Sequence, residues 1–257
     1  MSLFRKRYRG QRLRDFSVRE SYSNPRSRQQ YVTFMFDLLA PGYDLFTRWF
    51  SFGMDQSWKR LVVERAASGL APDAAVIDLA CGTGEIARGL AERQPNRAVL
   101  GIDLSGEMLV AAHAARSTSG TVEYARGDIC ALPLLSGSVD RITIGYGFRN
   151  LPDFRLGLAE TARVLKPGGR MVVLDFFKPR PPLWRAVFLG YLQIAGSLGG
   201  WIWHSDATTF NYIAYSIRHF VGLDEFVRSL ESEGFRTVGV HPRLGGGIAI
   251  VEAERLA

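Results

Sequence analysis

Only two cysteines, Cys81 and Cys130, occur in 257 residues. Neither a disulfide framework nor a metal-ligand spacing can be built from them, so a reducing, cytoplasmic setting is expected. The four histidines, at 113, 204, 219 and 241, are scattered, and no metal is expected. No stretch near the N-terminus has the long apolar core of a secretory signal. Beyond residue 28 there is also no excess of charge. Residues 1–28 hold nine Lys/Arg against Asp15 and Glu20, which accounts for the whole net charge of +7. A nucleic-acid binder would carry its basicity on the folded body, so that class is set aside. One long uncharged run exists, residues 186–203, which touches the lower limit for a membrane span. Its four glycines (190, 196, 199, 200), and the sheet elements on either side, favour an apolar lid or substrate wall.

What is present describes a folded enzyme-sized body, 47% hydrophobic and 22% charged. The expected division is a basic, disordered tail over 1–28 and one domain over 29–257. Within that domain, 29–68 form a helical cap and 178–222 a substrate-side insert. The tail reads either as a contact for an anionic membrane surface or as a solvated leader. From residue 74 onward, β-branched runs alternate with helical stretches: strands at 74–80, 97–104, 121–128, 139–147 and 170–177, and helices at 84–94, 105–117 and 153–165. "KPGG" (166–169) reads as the stop of the last of these. A further helix (223–235) leads to a closing pair of strands (236–242 and 246–254). The fold class is α/β, a mostly parallel Rossmann-like sheet with a closing antiparallel strand.

"VIDLACGTGEIARGL" (76–90) puts Asp78 at the end of a buried strand, just ahead of a glycine loop. The loop alone, with Asp103 about twenty residues on, also fits a dinucleotide binder. Asp78 separates the two readings. A carboxylate there repels a pyrophosphate and attracts a cationic ligand, and S-adenosyl-L-methionine (SAM) carries both an ammonium and a sulfonium. Asp103 would take the ribose hydroxyls. Asp128 would face the adenine amino group, with Ile129 packed on the ring. Any one of these acids alone could simply cap a following helix; three successive strand ends make a site.

At "DLACGTG", "GIDLS" and "ARGD" the chain resembles the class I SAM-dependent methyltransferases. More specifically it is similar to the C-methyltransferases of ubiquinone and menaquinone biosynthesis. That likeness rests on "YDLFTRWFSFGMDQSWKR" (43–60), "GDICALPLLSGSVDRITIGYGFRNLPD" (127–153), "RVLKPGGRMVVLDF" (163–176) and "FNYIAYSIRHF" (210–220). The resemblance implies SAM contacts at Thr83, Asp103, Asp128–Ile129 and Gly145. The loop and strand ends add Asp78, Gly82, Gly84 and Leu104. Departures from the family pattern include Gly145 for Ser, Ile129 for Ala, Asp55 for His and Asp175 for Glu.

The reaction implied is displacement of the sulfonium methyl by a ring carbon of a lipophilic prenylated quinol. It needs a donor for the phenolate and a base. Arg149 is the candidate donor, the alternative being a salt bridge to Asp153. Tyr43 and Tyr146 through water, or His204 and Asp55 directly, are the candidate bases. The N-terminal aromatics (Phe34, Phe36, Tyr43, Phe46, Trp49, Phe50, Phe52, Trp58) and the 183–203 run are expected to wall a channel for the prenyl chain. Such an acceptor places the enzyme peripherally on the inner face of the membrane; a homodimer is compatible with the sequence. Competing readings are a methyltransferase of a soluble phenol or an acyl lipid, and a non-catalytic SAM-binding assembly module. No N/D-P-P-Y/F motif follows strand four, which argues against a nucleic-acid substrate.

Overall fold

The computed structural model describes residues 18–22, 24–94, 98–115, 119–204 and 211–257, without the side chains of 19, 199–204 and 211. Asn24 opens the first long helix: its side chain accepts from the Ser27 N–H, and Pro25 supplies a preset first turn. Helix α1 (Pro25–Leu39) is followed by α2 (Tyr43–Phe50) and α3 (Met54–Ala67), so the expected helical cap is three helices. The expected boundary at 28/29 falls inside α1. Residues 25–28 are helical, and Val18–Ser21 form a turn of helix before them. The rest of the tail, 1–17, lies outside the described residues.

Strand β1 (Val76–Leu79) leads through the glycine loop to α4 (Glu85–Arg93) and β2 (Val99–Asp103). Helix α5 (Gly106–Ala114) starts at Ser105, whose hydroxyl accepts from Met108 N as the sequence suggests. Then come β3 (Val122–Arg126), β4 (Val139–Gly145), α6 (Phe154–Val164) capped by Asp153, and β5 (Leu165–Phe176). The KPGG stretch belongs to the start of β5 rather than to a linker. The helix ends before it, at Val164, and the pairing register with β4 jumps between Val139 and Arg141 to absorb it. Helices α7 (Pro182–His204), α8 (Asn211–His219) and α9 (Leu223–Ser232) precede β6 (Phe235–Arg243) and β7 (Ile248–Arg255).

The seven strands are ordered β3–β2–β1–β4–β5–β7–β6. Pairings from β3 through β5 are parallel, and β7 runs antiparallel to both its neighbours. Strands of a parallel sheet are apolar on both faces and must be covered twice. Val172 and Leu174 of β5 accordingly join one core while Met171 and Val173 join the other, and β7 divides the same way. The first core carries the cap, α7 and α8; the second carries α6 and α9. The chain runs outward from β1 through β2 to β3, then crosses back to β4 and runs the other way to β5, so the strand order reverses between β1 and β4. The crevice at the carboxyl ends of those strands is therefore where a ligand would enter. Among the described residues no helix is long and apolar enough to cross a membrane.

Candidate active site

The glycine loop turns by backbone conformations that favour glycine, with φ of +54° at Gly82 and +79° at Gly84. Asp103 fixes it from the next strand, accepting from Gly82 N with one oxygen and from Ser105 N with the other, both at 2.8 Å. Asp78 is fully buried and holds the other side of the loop. Its oxygens accept from the Thr143 hydroxyl (2.7 Å) and from Ala87 N in the first turn of α4 (3.1 Å). Thr143 is the register partner of Asp78 across the β1–β4 pair. Burial pushes the Asp78 carboxyl up to about 7, against these two donors. Burial also raises Asp103, and drives the Cys81 thiol well above its ordinary value, which rules Cys81 out as a nucleophile.

Around this loop lies a cavity of about 1020 Å³, part of it open to solvent. Asp78, Gly82, Thr83, Asp103, Leu104, Asp128, Ile129 and Gly145 all line it, as the sequence reading has them. Gly84 does not. It turns away from the cavity, and a Cβ there would meet the Tyr124 hydroxyl at 2.2 Å. Among the described residues the lining carries four carboxylates (Asp78, Glu85, Asp103, Asp128) and one cation, Lys59. Lys59, missed in the sequence, bridges Asp55 (3.2 Å) and Glu85. Burial works against its charge, yet Glu85 and Asp55 together raise its pKa. Its signal was present: Lys59 lies one helical turn after Asp55.

Three cap side chains, also unforeseen, grip three loops. Gln29 donates to Asp128 after β3, Asp37 accepts from the Ser105 hydroxyl after β2 (2.6 Å), and Asp44 accepts from the Thr83 hydroxyl after β1 (2.7 Å).

Phe36, Tyr43 and Tyr146 also border a second chamber of about 600 Å³, whose surface is almost wholly apolar. Phe46, Phe50 and Trp58 line it from the cap, with Phe176, Tyr212 and Ile213 opposite. The expected channel wall needs correcting in two places. Trp49 and Phe52 point outward because positions 46 and 50 share one helix face and 45 and 49 the other; Phe34 is in the core. No α7 residue lines the chamber among the described residues; its buried Phe188, Leu189 and Leu192 pack into the core.

Arg149 lines this chamber, in the turn after β4. Its partner is not Asp153, which caps α6, but the fully buried Asp175 (3.4 Å). Its Nη1 also donates to the Tyr146 carbonyl (2.8 Å), and the guanidinium lies 5.0 Å from the Phe176 ring centroid. Its Nε–H has no acceptor among the described residues. Tyr146 has φ of +60°, an outlier for an aromatic residue. It is pinned by its N–H on Leu174 O and by Arg149 and Asn150 donating to its carbonyl. Strain held by surrounding bonds is a mark of functional positions. Burial raises the pKa values of Tyr43 and Tyr146, the latter strongly, so both hydroxyls are donors rather than bases near neutrality. Among the described residues Asp55 is the one carboxylate lining the chamber, and it accepts from Ser51 (2.8 Å). The side chain of His204 lies outside the described residues.

A cavity walled by carboxylates suits a cationic ligand, Asp103 has lone pairs for a diol, and Ile129 gives an apolar wall; SAM fits this donor set. Comparison with known proteins agrees. The chain is 37% identical to the ubiquinone/menaquinone biosynthesis C-methyltransferase UbiE of Geotalea daltonii, over 84% of this chain and 92% of that one. It is 36% identical to a demethylmenaquinone methyltransferase of Deinococcus radiodurans, over 85% and 90%. The solved structure of the cyclase SpnF superposes with a TM-score of 0.65 at 17% identity, covering 89% of this chain and 96% of that one, which shows the shared fold. Residues 25–254 match the ubiE/COQ5 methyltransferase family, and the chain belongs to that family of SAM-dependent methyltransferases.

Proposed function

We propose that this chain methylates a ring carbon of a prenylated naphthoquinol, converting a demethylmenaquinol to a menaquinol. The observation that carries the reading is the Arg149 Nε–H, a buried donor without an acceptor among the described residues, at the wall of an apolar chamber adjoining the SAM cavity. An unsatisfied buried donor costs about 1–3 kcal/mol, which a quinol oxygen would recover. The names borne by the relatives support the same acceptor.

SAM, when bound, supplies an electrophilic methyl on a positive sulfonium. Asp103 would take its ribose hydroxyls, Ile129 would pack on the adenine face, and Lys59 would meet the carboxylate of its methionine end. Asp78 supplies the negative charge below the loop. In the second chamber, Asp55 is the group to take the proton from a quinol hydroxyl, directly or through Ser51. Arg149 then holds the developing phenolate, and its bond to Asp175 fixes the angle of approach. Tyr43 and Tyr146 stand where the two spaces meet and would hold the ring with its face toward the methyl, as attack through the π orbital of a ring carbon requires. Loss of that carbon's own proton to water in the open cavity then restores the aromatic ring. The apolar walls exclude water, so opposite charges attract more strongly there than in solution. A lipid-soluble acceptor places the enzyme at the inner membrane surface, and the basic residues 1–28 suit an anionic leaflet.

The test is transfer of labelled methyl from SAM to reduced demethylmenaquinone analogues and to demethoxy-type benzoquinols. Methylation of the naphthoquinol, lost in Arg149→Lys and Asp55→Asn with SAM binding retained, is the expected result. Tight SAM binding with no transfer to any quinol overturns it.

A further inference from the structure

We propose that the outer faces of α2 and α7 form one surface that lies on an anionic lipid bilayer. The inference rests on the reading of a lipid-borne acceptor and says which part of the molecule meets the lipid.

Leu183, Val187, Tyr191, Ile194 and Leu198 are exposed at spacings of four, four, three and four, an unbroken stripe along α7. Leu183 is 80% exposed and Ile194 66%. The opposite face of the same helix is in the core through Phe188, Leu189 and Leu192. A surface helix ordinarily shows polar residues to water, and this one carries a single Arg, Arg185, and no acid over its whole length. Helix α2 behaves alike: Phe46 and Phe50 are buried, yet Leu45, Trp49 and, just past its end, Phe52 are outside. The two stripes are joined. The Tyr191 hydroxyl donates to Phe50 O at 2.7 Å, and its ring stacks on Phe52. Contiguous exposed apolar surface of this extent marks a contact site.

Charge selects the occupant. Arg48 and Arg218 are exposed at the edges of the patch, and Arg218 reaches Gln193 of α7. Residues 1–17 carry six Lys/Arg against one Asp, so this rim repels the protein's own tail, and it repels the same rim on a second copy. It attracts anionic headgroups, while Trp49, Phe52, Trp184 and Tyr191 are the side chains favoured where apolar and aqueous layers meet. With no helix among the described residues able to span, the face lies in the interface, as amphipathic surface helices do. Location argues the same way. The inner side of α2 lines the apolar chamber, so one helix separates the bilayer from the proposed acceptor site.

The test is flotation with vesicles of phosphatidylcholine containing phosphatidylglycerol, using the full chain, Leu183→Glu/Ile194→Glu, and a tail variant (Arg5→Glu/Arg7→Glu/Arg9→Glu). The double Glu variant should bind at least roughly tenfold more weakly, with SAM affinity and thermal unfolding unchanged. Wild type that ignores vesicles overturns the proposal. So does vesicle binding that the tail variant abolishes and the double variant keeps. So does a wild-type dimer that the double variant dissociates while vesicle binding is unmoved. Transfer to a quinol without a prenyl chain separates this from the acceptor reading. Its persistence alongside vesicle binding indifferent to the double variant sinks only the docking face. Normal docking without methylation of any quinol leaves the face standing and removes the quinol.

Discussion

The SAM cavity and the chamber beside it share three side chains but are built on opposite principles. The cavity is made of strand ends, and its polar groups are held by backbone N–H donors: Asp103 by Gly82 and Ser105, Asp78 by Ala87. The chamber is made of helix faces and aromatic rings, and in its fully buried ion pair Asp175 faces the Arg149 cation while also accepting from the N–H groups of Arg149 and Phe176. In the cavity an acid can be changed and the loop still has its other bonds. In the chamber, loss of one partner strands a charge in a dry place.

Asp175→Ala therefore gives the largest effect. It leaves the Arg149 cation buried and unpaired, and denaturant unfolding should lose about 3–5 kcal/mol. A loss near zero would show that Arg149 finds water, and the contrast between the two spaces would break. Asp103→Ala tests the other side: SAM affinity by calorimetry should fall roughly 10–100-fold, as for loss of a charged hydrogen-bond acceptor, while unfolding changes far less.

The pH dependence of Asp78 comes next. Its carboxyl is raised from 3.8 to about 7 by burial, so two opposite trends follow. Stability of the ligand-free protein from this group is complete below the unfolded value and is lost as pH rises through about 7. SAM binding needs the ionised form, and should tighten over the same range by up to roughly tenfold per unit, with proton uptake by the buffer. Asp78→Asn flattens both profiles. The smallest expected effect is that of Lys59→Gln. It should weaken S-adenosylhomocysteine roughly five- to tenfold, as for a partly exposed charged bond. It should leave 5′-methylthioadenosine, which lacks the amino-acid end, unchanged. Equal losses for both ligands would mean that Lys59 only braces α3.

The cavity was legible in the sequence because its signal is local. An acid ending a strand, a glycine loop and a helix start lie within a dozen residues, and three such endings fix one edge of a sheet. The chamber was not, because its walls depend on how helices roll. Phe46 and Trp49 are three residues apart in one apolar run, and only docking decides that one faces in and the other out. Thr143 met Asp78 only through strand pairing, and Asp175 displaced Asp153 as the partner of Arg149 for the same reason. The uncharged run at 186–203, read as an apolar lid or substrate wall, forms most of α7, and among the described residues the chamber wall is made instead by Tyr212 and Ile213 of α8.

The three cap side chains, Gln29, Asp37 and Asp44, each end on a different loop around the cavity. The first two helices thus close over the cofactor like fingers on three separate keys. Tension at any one strand end is felt by the whole hand, and lifting the hand frees all three at once. Exchange of spent for fresh cofactor would then require the N-terminal helices to release all three bonds together.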